Sequence, residues 1–153
     1  MPPIVNSTSD LIHDYFDMDA YPADPVQARG RVVVATGTVT NLSTDLNTSK
    51  YHLVDLPSSC ILHPDTFFDV ENDGFAQIGI GTESDTDALV DVAKSGGNTI
   101  TPIAKGDANH GKRLWEVLGL AKDPGGNIGL WKHAEADAAG AGSMPFQIHY
   151  ITA

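Results

Sequence analysis

Arg31-Val32-Val33-Val34-Ala35-Thr36-Gly37-Thr38-Val39-Thr40-Asn41 carries seven β-branched residues in eleven positions and no charge after Arg31. Branching at Cβ restricts χ1 and packs well on a pleated surface, so the stretch reads as a strand. The segments downstream repeat the theme. Lys50 to Leu56 alternates around Leu53 and stops at Pro57, and Cys60–His63 and Thr66–Val70 are short apolar runs divided by Pro64. Phe75 to Thr82 puts Gln77, Gly79 and Gly81 on one face and Ala76, Ile78 and Ile80 on the other. Asn127–Ala134 and Met144–Thr152 read as two more strands, the last with Phe146, Ile148 and Tyr150 on a common face.

Turn chemistry lies between these runs. Asn72-Asp73-Gly74 is a hairpin signal, because Asp-Gly supplies the positive φ angles of a type I′ turn. Lys94-Ser95-Gly96-Gly97-Asn98 reads as a second hairpin turn, and Ala134–Ser143 as a loop of small residues. One helix is expected over His110–Leu120, where Leu114, Val117 and Leu118 fall at i, i+3, i+4 with Trp115 alongside, ended by Gly119 or by Asp123-Pro124-Gly125-Gly126. The expected fold is all-β, a β-sandwich or jelly-roll-like domain with one short helix.

The N-terminus has a different character. Asp10, Asp14, Asp17, Asp19 and Asp24 precede the first basic residue, Arg29, and the stretch holds four prolines. It divides the chain into an extended arm, 1–29, and a β-sandwich domain, 30–153. The apolar anchors Leu11, Ile12, Tyr15, Phe16 and Tyr21 are the contact candidates, with one helical turn after Ser9. Fully extended, such an arm spans on the order of 90 Å, enough to reach a neighbouring subunit.

Composition narrows the function. The chain of 153 residues suffices for one compact domain with a core. Twenty acidic against nine basic residues give a net charge of −11, which disfavours nucleic acid as a direct partner. No run approaches the roughly 18 apolar residues of a bilayer span, and Met1–Asn6 lacks the basic and apolar regions of a secretory signal. Cys60 is the single cysteine, inside an apolar run, and reads as buried filler in a protein assembled in a reducing cytoplasm.

Candidate chemistry is sparse. Asp69–Gly74 imitates the start of a calcium loop, yet Ile80 stands where the closing carboxylate belongs. Glu83-Ser84-Asp85-Thr86-Asp87 reads as a solvated acidic loop and is the first place to look for a bound cation. His13, His52, His63, His110, His133 and His149 show no metal-ligand spacing. Neither a Gly-x-Ser-x-Gly elbow nor a phosphate loop occurs, so neither an enzyme nor a cofactor is expected. Trp115 and Trp131 are read as packing residues; the rival reading is a sugar-stacking platform on a carbohydrate-binding module.

Several stretches, in order, resemble the head-associated or capsid decoration (cement) proteins of tailed bacteriophages. They are Asn47 to Leu62, with its Ser-x-Tyr and Leu-Pro-Ser segments; Phe68-Asp69 followed by Ala76 to Gly81; Gly111 to Leu120 followed by Asp123-Pro124-Gly125; and the Ala/Gly-rich loop before Phe146 to Tyr150. The resemblance spans about residues 45–152 and departs at Gln77, where an acidic residue is usual. It implies a β-sandwich assembled as a homotrimer on the outer surface of the virion, bound to the major capsid protein and stabilising its lattice. A head-fibre base is the neighbouring alternative. No membrane partner is expected.

Overall fold

The computed structural model describes residues 3–5 and 25–152. Its elements are a one-turn helix α1 (Pro25–Arg29), β1 (Arg31–Asn41), β2 (Lys50–Pro57), β3 (Ile61–Leu62), β4 (Phe67–Asp69), β5 (Gln77–Gly81), β6 (Val90–Ala93), β7 (Thr99–Ile100), α2 (Leu114–Val117), β8 (Asn127–His133) and β9 (Gly142–Thr152). All strand pairings are antiparallel. One sheet runs β1-β9-β4-β7, with β3 also on β9; the other runs β2-β8-β5-β6. The fold is an all-β sandwich, as its sequence leads one to expect.

Alternation builds the core. In β1 and β9 the paired residues Val39–Met144, Gly37–Phe146 and Ala35–Ile148 face inward, and Met144, Phe146 and Ile148 are buried. From the second sheet Leu56, Ile78, Ile80, Ile128 and Leu130 meet them. Such side chains each contribute roughly 1.5–3 kcal/mol when taken from water. Cys60 sits in the same core as filler, and burial pushes its thiol up to about 12.

Both hairpin readings are corrected. β4 and β5 lie in different sheets, so Asn72-Asp73-Gly74 is a crossing between layers, and neither Asp73 nor Gly74 has positive φ. β6 and β7 likewise lie in different sheets, joined by a 3₁₀ turn at Lys94–Gly96. The two crossings touch, since the Lys94 ammonium donates to the Asp73 carbonyl at 2.6 Å. Asp-Gly favours a turn, but the buried partners of Asp73 set which way the chain leaves it.

The helix is shorter than its apolar spacing suggests. Gly111 at φ 83° breaks the approach, and Arg113 is extended, held in a β-bridge to Ile61, so α2 begins only at Leu114. Its start is capped by the Glu116 carboxylate, which accepts the Arg113 N–H at 3.1 Å. Its end is a Schellman motif: Gly119 at φ 77° donates to the Glu116 carbonyl and Leu120 to the Trp115 carbonyl. Leu114 and Leu118 are buried, and Trp115 packs against the core as read.

At the N-terminal end, α1 packs on β9, and Val26 is buried within a stretch assigned to the arm. Leu11, Ile12, Tyr15, Phe16 and Tyr21 lie outside the described residues, as does His13.

Candidate interaction surface

The β1–β9 ribbon differs in charge from the outer face of the opposite sheet, while Asp69 on β4 lies in the outward phase of the ribbon's own sheet. On the β1–β9 ribbon the outward positions are Val32, Val34, Thr36, Thr38 and Thr40, opposite Ile151, His149, Gln147, Pro145 and Ser143. No Asp, Glu, Lys or Arg occurs among them. Val32 and Val34 are 54% and 46% exposed. Among the described residues β1 is the last strand of its sheet, and it is eleven residues long. Natural edge strands are guarded by charges, prolines, bulges or brevity; β1 has none of these between Val32 and Asn41.

The opposite sheet carries the acid. Asp55 and Asp91 lie exposed on β2 and β6, and Glu83, Asp85, Asp87 and Glu135 surround them from the loops. The Glu83–Asp87 loop folds back over β5: a Cβ on Gly81 would fall 2.1 Å from the Asp85 carbonyl oxygen, and one on Gly79 3.1 Å from that of Thr86. Gly81 is thus required for the loop's approach, and Gly79 leaves it little room. Glu83 is engaged with Lys50 at 2.6 Å, which holds its carboxyl below the usual range. Burial, with Asp91 and Asp87 nearby, pushes the Glu135 carboxyl up. Among the described residues no three His, Cys, Asp or Glu are gathered as a metal site.

Trp131 stands half-buried on this acidic face. Its cross-strand partner His52 stacks on it at 4.4 Å between centroids and 5° between planes, and the Lys50 ammonium lies 5.2 Å from the ring centre. A bulge in β2 between His52 and Val54 turns His52 and Asp55, three apart, to the same side, where they bond at 2.7 Å. A sugar stacking on Trp131 would compete with these neighbours. Packing is the role its surroundings give it.

Between the sheets lies a polar cluster that the sequence reading missed. Lys132 is buried, in phase with Ile128 and Leu130 on β8, and pairs with the buried Asp73 carboxylate. Its ammonium also lies 5.0 Å from the Phe75 ring centre and 5.5 Å from that of Tyr51. Burial pulls the Lys132 ammonium down from its ordinary value, with Asp73 opposing. Next to it Asn41 accepts the Gly74 N–H and donates to the Gly140 carbonyl. The signal was present: a lysine in the inward phase of a strand must find a carboxylate. Nothing local says which one.

The remaining histidines serve backbone contacts. His133 bonds the Thr82 carbonyl, His149 the Asp65 carbonyl, and His63 and His110 each accept a backbone N–H at Nδ1. No protein-family model, curated protein or solved structure matches this chain.

Proposed function

We propose that this chain is a structural virion protein, a decoration or cement protein that binds the outer surface of a tailed-phage head and stabilises the lattice of its major capsid protein. The observation that carries this reading is the polarity of the sandwich. The outward positions of one long ribbon carry no formal charge, and among the described residues no strand pairs with its edge, on a molecule of net charge −11 whose opposite face is acidic. Such a molecule lays its uncharged ribbon on another protein and turns its acid to solvent, where like charge keeps decorated particles apart. Burying apolar area in that contact contributes roughly 25 cal/mol per Å² before association costs. The order of motifs that resembles the decoration proteins supports the same reading, and with it a trimer.

The test is to add purified protein to heads prepared without it and count bound copies by cryo-electron microscopy. Hundreds of copies distributed over the shell support decoration. A dozen or fewer at special positions would instead indicate a fibre base, and no binding would remove the proposal.

A further inference from the structure

Lys132 brings a primary amine into the interior, and Asp73 brings a carboxylate to meet it. The two side chains are 2% and 0% exposed, and the Lys132 nitrogen bonds Asp73 Oδ1. The rings of Phe75 and Tyr51 form apolar walls beside the amine. Both ends are fixed by the fold. Lys132 sits mid-sheet on β8, with Tyr51 of β2 on one side and Ile80 of β5 on the other. Asp73 is held by its N–H on the Val70 carbonyl at 3.1 Å, by its carbonyl on the Lys94 ammonium, and by the adjacent Gly74 N–H on Asn41. Amine and acid kept in contact on rigid elements meet at an effective concentration far above any in solution.

Three features favour joining these groups over leaving them as ions. Water opposes condensation of an ordinary lysine and aspartate because it hydrates both ions, and here that hydration is already lost. Burial, then the like charge of Lys94, pulls the Lys132 ammonium down toward the neutral amine that attacks, with Asp73 opposing. The Phe75 N–H donates to Asp73 Oδ2 at 3.3 Å, so a donor stands on the oxygen that takes negative charge once Cγ becomes tetrahedral.

We propose that Lys132 and Asp73 condense after folding into an amide, cross-linking β8 to the β4–β5 crossing with loss of one water. The Lys132 ammonium first passes a proton to Asp73 Oδ1, leaving a neutral amine beside a neutral acid. The Nζ lone pair attacks Cγ, and a second proton moves from Nζ to Oδ1. The Cγ–Oδ1 bond breaks and Oδ1 leaves as water. Nζ keeps one hydrogen in the new Nζ–Cγ amide, whose carbonyl oxygen is Oδ2. The opposite charges cancel, and the two side chains are the only reactants. Newly folded protein carries the ion pair, and the amide accumulates afterwards. In a chain with one cysteine it supplies a covalent tie between positions 59 residues apart, which restricts the unfolded chain as a disulfide would.

Mass spectrometry of the full-length protein, aged in the folded state and then denatured, reads the reaction. The native protein should be lighter than its sequence by one water. A tryptic digest should contain a branched peptide joining residues 51–94 to 123–153, uncleaved at Lys132. Lys132→Arg, which keeps a cation but has no amine to condense, should retain its full mass. Native protein held unfolded in guanidinium should also retain its full mass and lose water only on refolding, a control that does not depend on the variant's folding. Full mass in the aged, folded native protein overturns the proposal. A water lost from 51–94 alone, or lost equally by Lys132→Arg, overturns it too, because Asp73-Gly74 has then closed an imide on its own backbone.

Discussion

Asp73 and Lys132, 59 residues apart in the chain, form an ion pair that is almost completely removed from solvent and fastens the β4–β5 crossing to β8. Asp73 also accepts the Phe75 N–H, and its carbonyl accepts Lys94 from the second crossing. Both passages between the sheets are therefore tied to one carboxylate-bearing residue.

Replacing Lys132 by Met leaves that carboxylate buried without its counter-charge, which costs about 3–5 kcal/mol. Adding Asp73→Asn removes the charge while keeping an acceptor for Phe75, so the double variant should regain most of the loss. Urea denaturation of the two variants measures the difference. Equal stability of the single and double variants would show that the pair is not what holds the crossing.

The same corner admits no added carbon. A Cβ at Gly74 would lie 2.2 Å from the Gly140 carbonyl oxygen and 2.3 Å from Asn41 Nδ2, while one at Gly96 meets nothing within 4 Å. Gly74→Ala is expected to cost about 1–3 kcal/mol as overpacking. Gly96→Ala should leave the thermal midpoint nearly unchanged.

The packed structure reaches into the stretch that the acidic composition assigns to the arm. Deleting residues 1–24 spares α1, whereas deleting 1–28 also removes Val26, which is 8% exposed, and the Gln27–Gly111 bond. The longer deletion should therefore be less stable than the shorter by about 2 kcal/mol in denaturant.

Acid should weaken the fold through a defined set of carboxylates. Hydrogen bonds from Ser58 and the Gly125 N–H hold Asp123 below its ordinary 3.8, as Tyr51 and the Leu42 N–H hold Asp45. A carboxyl lowered by folding contributes stability that is present above its unfolded value and lost as pH falls through its folded value. Glu135 is raised, so its contribution has the opposite sign: present below 4.5 and lost as pH rises through its folded value. The thermal midpoint should fall as the pH drops below about 3.8, and Asp123→Asn should flatten that limb. A limb of unchanged steepness in Asp123→Asn would exclude this carboxylate as a contributor.

Much of the fold was legible because it follows period two. Ile78/Ile80 and Phe146/Ile148 alternate cleanly and land on the buried face, and the β-branched run of Val32–Thr40 forms the strand its composition assigns. What was not legible depended on partners far along the chain. Asp73-Gly74 has hairpin chemistry, yet its direction is set by Lys132 and Asn41. The Ala/Gly loop reads only as a loop. Of its small residues Gly142 is needed, because a Cβ there would fall 2.3 Å from the Asn72 carbonyl oxygen, whereas one on Gly140 meets nothing within 4 Å. The uncharged ribbon was half legible. The valine-threonine run was evident, but its place at the edge of the sheet comes from β9 being its one paired strand among the described residues.

The most direct test of the account is a binding titration of the purified protein onto heads that lack it, comparing two double variants. Val34→Asp/Thr38→Asp puts charge on the outward face of β1 without touching the core, and Asp85→Asn/Asp91→Asn removes charge from the opposite face. The account predicts that the first loses binding by at least about tenfold, or 1.4 kcal/mol, while the second binds like the unmodified protein. Undiminished binding by a folded Val34→Asp/Thr38→Asp variant would contradict it.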